Sequence, residues 1–234
     1  MRQQQRGAPK LAGAAWGFAP FPRELPATGD EVAAFQASIA GATAYVGPKA
    51  TESVLRGALV KPGVVHVATH GVLNLRNPMF SRVELARPTA VSGDDDGRLE
   101  VHELLGIGVR SSLVFLSGCE TGAGQDWSDD PVRGGAELTL AQAFLSAGAE
   151  NVVVTLWRID DAGAAAFAGR FYRALSHNTL AQAIASAQRS MLSDPRYASP
   201  YYWAGYILSG TGKGPQETAL SSVSILSATQ ASPR

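Results

Sequence analysis

The stretch that most limits what this chain can become is Ser112-Leu-Val-Phe-Leu-Ser-Gly-Cys-Glu-Thr-Gly122. Apolar, strand-forming residues run into small residues and then into Cys119, the only cysteine in 234 residues. A continuous apolar run of this length reads as a strand buried on both faces of a parallel sheet. In open α/β sheets the chemistry collects in the crevice beyond the carboxyl ends of such strands. Cys119 is expected there.

A second stretch, Val64-Val-His-Val-Ala-Thr-His-Gly71, has the same grammar: an apolar strand, a polar residue, then glycine. If the two strands are neighbours, His70 and Cys119 emerge on one rim. A thiol beside an imidazole is the minimal kit for nucleophilic catalysis. Each residue also has an ordinary reading, since a lone cysteine is commonly a small buried hydrophobe. His66 and His70 are four apart, which on a strand is roughly 13 Å. Zinc ligands sit about 2 Å from the metal, so a shared ion is excluded and His66 reads as structural. His102 and His177 read as surface residues.

The remaining elements follow from pattern and punctuation. Residues 1–24 are rich in Gln, Arg, Gly, Ala and Pro and read as an irregular lead-in. Thr28 and Glu31 have the spacing of a capping box ahead of a helix with Val32, Phe35 and Ile39 on one face. A strand over 42–46, a helix over 51–59 and the strand ending near His70 form a β-α-β unit. Short strand and helix signals follow over 80–86 and 99–105. Ser92-Gly-Asp-Asp-Asp-Gly97 reads as a solvated hairpin tip, because it lacks the closing Glu of a calcium loop. Residues 122–135 form a long glycine- and aspartate-rich loop, a length more often functional than idle. Then come a helix over 136–147, a strand over 151–156, helices over 162–175 and 180–192, and an edge strand over 203–209. Asp160 and Asp161 fall at a helix start, where the macrodipole favours acids. The Gly/Ser/Thr/Ala-rich residues 211–234 read as a disordered tail.

Bulk properties narrow the function classes. Twenty basic and twenty acidic side chains leave a formal net charge of zero, and the arginines are scattered. No nucleic-acid or membrane partner is expected. One cysteine cannot form an internal disulfide, which fits a reducing cytoplasm. Neither a signal peptide nor an apolar run of about eighteen residues is found, and no metal or other cofactor is called for.

The motifs "HVATHG", "NPMFSRVELA", "LSGCETG", "RGG", "AQAFLSAGAENVV", "VVVTLWRIDD" and "SDPRYASPYYWAGYILSG" occur in this order. Together, over residues 25–210, they closely resemble the CHAT family, of the caspase–separase–gingipain clan of cysteine peptidases. The resemblance implies an α/β fold: a caspase-like three-layer sandwich with a central, mainly parallel sheet. CHAT domains commonly carry further strands and a helix before the segment matching Leu25, so the expected sheet is N-terminally incomplete. The resemblance also implies a cysteine endopeptidase acting through a thioester. Cys119 is the nucleophile, His70 the general base, and the backbone amides of Gly71 and Cys119 the oxyanion donors. Separases and gingipains select a basic residue with an acid near the site. Carried over, that role falls to Asp160 and Asp161, for which helix capping is the competing role, with Glu120 as a further substrate-binding candidate.

The implied partner is a protein or peptide substrate, with a regulatory partner or helical-repeat protein besides. CHAT domains often follow arrays of helical repeats, and no repeat of twenty to fifty residues occurs here. Two other classes compete: a catalytically silent interaction module or truncated CHAT fragment that binds a partner through the same crevice, and a redox-sensing thiol. The missing resolving cysteine argues against the last.

Overall fold

Apolar runs of five residues become the central strands, and the amphipathic segments between them become the covering helices. The computed structural model describes residues 11–12, 14–74, 76–89, 95–117 and 133–213, with 11–12 and 133–139 as backbone only. In chain order the elements begin with strands β1 (Leu11–Ala12) and β2 (Ala15–Ala19), helix α1 (Pro26–Ser38), and strands β3 (Ile39–Ala40) and β4 (Thr43–Val46). Helix α2 (Glu52–Leu59) precedes strands β5 (Val64–Ala68), β6 (Gly71–Val72), β7 (Arg82–Glu84) and β8 (Arg98–Glu100). Helix α3 (Val101–Leu104), strand β9 (Leu113–Ser117), helix α4 (Arg133–Ser146) and strand β10 (Asn151–Thr155) follow. Helices α5 (Asp161–Leu175) and α6 (Leu180–Leu192) lead to strand β11 (Tyr206–Gly210).

The main sheet has the order β11-β10-β9-β5-β2-β4. Every pairing is parallel except that of β10 with β11. Parallel strands require crossovers, and the helices divide between the two faces accordingly. The strand period of two sorts the side chains. Val65, Val67, Val114, Leu116, Val152 and Val154 face α2, α3 and α4, against Leu55, Leu59, Leu104 and Phe144. Leu113, Phe115 and Val153 face the opposite layer with Phe35, Phe167, Phe171 and Tyr172 of α1 and α5. A fully buried side chain of this size contributes about 1.5–3 kcal/mol, so both layers are strongly held. The small antiparallel sheet β6-β7-β8 extends from the end of β5. Among the described residues, no helix is long and apolar enough to cross a membrane.

The expected α/β three-layer arrangement is therefore present, and the strands and helices expected from residue 42 onward lie within a few residues of their places, whereas β6 and β8 were not expected. The lead-in is the first correction. Residues 15–19 are not irregular but form β2, between β5 and β4 inside the main sheet. Its Ala-Trp-Gly-Phe-Ala composition hides the strand because close packing requires the small residues. A Cβ on Gly17 would lie 2.9 Å from both Phe35 Cδ1 and Val32 Cγ1. Only a bare glycine lets α1 approach this near.

The capping box is the second correction. Helix α1 starts at Pro26, two residues before Thr28, with proline in the first turn and no side-chain cap at Leu25. Proline is pre-set for that position. The Thr28 hydroxyl instead donates to the Leu25 carbonyl at 2.6 Å, and Glu31 turns inward, 1% exposed. The tail expectation falls almost wholly on residues 214–234, outside the described residues.

Candidate active site

The carboxyl ends of β5 and β9 lie side by side, with Ala68 opposite Ser117. One residue further, the Thr69 amide donates to the Ser117 carbonyl at 3.0 Å, and its hydroxyl donates to the Glu84 carbonyl at 2.7 Å. His70 follows, held by its carbonyl, which accepts from the Glu84 amide at 2.9 Å. Residues 70 and 84 are therefore a hydrogen-bonded antiparallel pair, and Gly71 opposite Val83 belongs to the alternate, non-hydrogen-bonded kind. The alternation directs the Gly71 amide away from β7.

The His70 side chain is 21% exposed, with Nε2 3.6 Å from a Glu24 carboxylate oxygen. Its ring lies 5.6 Å from that of Phe21. Glu24 is 69% exposed, so solvent screens this pair and leaves it a weak restraint.

A crevice of about 430 Å³ opens on this rim. His70, Ser117, Asp160 and Asp161 line it, as do Glu24 and Glu31. The structure thus brings together His70 and the two aspartates singled out from sequence. Cys119 and Glu120 lie outside the described residues.

Both aspartates also perform the structural work weighed against selection. Asp160 is the N-cap of α5, its Oδ1 accepting from the amides of Ala162 and Gly163 at 3.0 and 3.1 Å. Asp161 Oδ2 accepts from the Ala27 amide at 2.9 Å, so α5 supplies the cap that α1 lacks. A carboxylate offers about four lone-pair sites, so these bonds exhaust neither acid. Tyr201, on the crevice wall, has its phenol pushed above the usual range, by burial first and then by the negative charge of Asp160.

Beneath the crevice, a polar chain crosses the α1/α5 layer. Glu31 Oε1 is 3.3 Å from His66 Nε2, and His66 Nδ1 is 2.8 Å from the Tyr172 hydroxyl. Glu31 is 1% exposed, and His66 and Tyr172 are fully buried. The His66 ring lies between Phe35 and Phe115, 5.4 and 5.0 Å away. Burial, and then the charge on Glu31, hold the Tyr172 phenol well above its ordinary pKa, so it keeps its proton. A phenol donating to Nδ1 leaves the ring proton on Nε2, facing Glu31 Oε1 across 3.3 Å without the geometry of a hydrogen bond. His66 is structural, as expected. Among the described residues, no cluster of three or more His, Cys, Asp or Glu is arranged for a metal.

Sequence reasoning missed Glu24, Glu31, Ser117 and Arg158 as crevice residues. The signal for Glu31 was available: it shares the apolar helix face of Val32 and Phe35, where an unpartnered acid is anomalous. The capping-box spacing masked it.

Comparison with known proteins agrees with this architecture. The chain is 27% identical over 238 residues to tetratricopeptide repeat protein 28 of Mus musculus, and 28% identical over 238 residues to that of Homo sapiens. Each match covers 88% of this chain but 9% of the relative, so the chain spans only a small part of their length. In fold it resembles the Saccharomyces cerevisiae separase of a separase–securin crystal structure, with a TM-score of 0.52 and 12% identity. That match covers 86% of this chain and 12% of the separase chain. The CHAT domain family profile matches residues 2–211, starting well before Leu25 and taking in β2. The chain belongs to the CHAT domain family.

Proposed function

We propose that this domain is a cysteine endopeptidase in which Cys119 and His70 form the catalytic dyad. The observation that carries the reading is the pairing of β5 with β9, Ala68 opposite Ser117, with His70 just past one strand end on the crevice wall. Only two peptide links, at most about 7 Å of extended chain, separate Ser117 from Cys119. That supports a thiol within reach of the same rim.

In this mechanism His70 takes the thiol proton and the sulfur attacks the substrate carbonyl carbon. The resulting oxyanion accepts hydrogen bonds from the amides of Gly71 and Cys119. The outward turn of the Gly71 amide is what that role requires. Collapse breaks the C–N bond, and the imidazolium gives its proton to the departing amine. Water, activated by His70, then hydrolyses the thioester and frees the thiol. Each oxyanion donor is worth about 3 kcal/mol of the barrier. Asp160, Asp161 and Glu120 are assigned to the substrate side, selecting a basic residue. A reducing cytoplasmic setting would keep the thiol available, with a protein or peptide as substrate and no nucleic acid or membrane partner.

The relatives favour a second reading. Both are named for tetratricopeptide repeats, and this chain equals a small fraction of each. In such a setting a caspase-like domain serves as a docking module, with a regulatory or helical-repeat protein as partner and Cys119 dispensable.

Alkylation by iodoacetamide at mildly acidic pH separates the two. A free thiol titrates near about 8.5, so it reacts slowly there. Rapid labelling of Cys119 that is lost in His70→Ala supports the dyad, whereas slow labelling indifferent to that change supports the docking module.

A further inference from the structure

At the first turn of α2, two buried carboxyl oxygens have no hydrogen-bond partner among the described residues, Glu52 Oε2 and Asp95 Oδ1. Glu52 is fully buried. Its other oxygen, Oε1, accepts from Arg56 Nε at 2.6 Å, and the same guanidinium donates to Glu103 Oε1 at 2.6 Å. Asp95, on the chain between β7 and β8, has its Oδ2 accepting from the Ser53 amide at 3.1 Å. Ser53 follows Glu52 directly, so the two acids meet at one helix end, each with one oxygen engaged and one left over. Buried acceptors are normally paired. Two carboxylates sharing a site repel, which favours a proton on one of them. The charged groups acting on Glu52 are Arg56 on its own helix, Glu103 of α3 and Asp95. Burial first of all raises the Glu52 carboxyl above its ordinary pKa; the Arg56 hydrogen bond and charge oppose this, and the charges of Glu103 and Asp95 add to it.

The geometry points to a proton-operated clasp, in which protonated Glu52 Oε2 donates to Asp95 Oδ1 and fastens the β7–β8 hairpin to the first turn of α2. One proton turns two acceptors into a donor and an acceptor. The clasp lies beside the strand that backs the crevice rim. Glu84 of β7 bonds Thr69 and His70. Two residues on, the Ala86 amide donates to the Ala50 carbonyl at 3.0 Å, and Ala86 bridges Thr51. One short segment thus runs from the rim to the clasp. A carboxyl raised in the folded state contributes stability that is complete below its unfolded value and lost as pH rises through the folded one. Removing the proton leaves two adjoining carboxylates, so the hairpin loosens as pH rises and its hold on the His70 backbone weakens. This regulation goes beyond the peptidase reading and does not rest on it.

The test is amide hydrogen exchange, read by NMR on the full 234-residue chain between about pH 4 and 8. The reporter is the Ser53 amide, which Asp95 holds, and exchange is expressed as protection over the intrinsic rate at each pH. In the parent chain this protection is expected to fall about tenfold or more as pH rises, the scale of losing a buried hydrogen bond. Glu52→Gln carries its own N–H donor at every pH and should hold the protection level. Asp95→Asn supplies a donor from the other side and should do the same. Should one variant not fold, the other decides, and the parent profile decides if neither folds. A level parent profile, or a fall that persists unchanged in a folded variant, overturns the clasp. The Glu84 amide, which donates to the His70 carbonyl, is expected to lose protection alongside Ser53. A Glu84 amide that stays unmoved overturns the link to the rim.

Discussion

Asp161 accepts a hydrogen bond from the backbone amide of Ala27 across 134 positions of sequence, at 2.9 Å. The first turn of α1 contains no acid of its own, so its exposed amides depend on a residue of another helix. Asp161→Ala is expected to destabilise the fold by about 1 kcal/mol, the usual cost of losing a cap, and Asp161→Asn by less. Urea unfolding of the three chains measures it, and identical midpoints would remove the cross-helix cap.

Tyr172→Phe keeps the ring in its aromatic cluster but leaves His66 Nδ1 without its 2.8 Å partner. A buried group deprived of its partner costs about 1–3 kcal/mol. Chemical denaturation should show that loss with an unchanged slope, since the surface buried is nearly the same.

Gly17→Ala places a methyl group 2.9 Å from Val32 and Phe35. Alanine is otherwise the better residue inside a strand by about 0.5–1 kcal/mol. Overpacking, at about 1–3 kcal/mol, outweighs that gain, so the variant should melt below the parent chain. A melting temperature equal to or above the parent's would mean that α1 can retreat freely.

Asp194 lies between Arg196 and Arg170 at 2.9 and 2.7 Å, and the Arg196 hydrogen bond first of all lowers its pKa to about 2. A carboxyl depressed in the folded state contributes stability above its unfolded pKa, about 3.9, and loses it as pH falls toward the folded value. Asp194→Asn should therefore melt lower than the parent from pH 5 to 7, with the gap closing between about pH 4 and 2. A gap that stays constant across that window would count against the ion pair.

The strands carrying the rim were legible because β5, β9 and β10 are buried on both faces, which forces a mainly apolar composition interrupted at the centre only by His66. The helix over 180–192 was legible for the complementary reason. Its apolar positions, Leu180, Ala183, Ile184, Ala187 and Met191, repeat at helical spacing and are buried. β2 was hidden because Gly17 answers to the helix above it, a constraint that strand alternation does not encode. Glu31 was hidden because Thr28 and Glu31 match a local motif while their partners, Leu25 and His66, are set by tertiary structure. His70, Asp160 and Asp161 could be named from sequence, but their convergence on one crevice could not, since it depends on strand order.

The hanging of α1 from Asp161 ties the crevice to the beginning of the chain. Any molecule seated in the crevice also bears on α1, whose Pro26, Thr28 and Glu31 line it, and whatever loosens the helix weakens its binding by the same factor. Occupancy should thus slow exchange of the α1 backbone protons with solvent, and proteolytic nicking near residues 20–26 should empty the cleft while β5 and β9 stay intact.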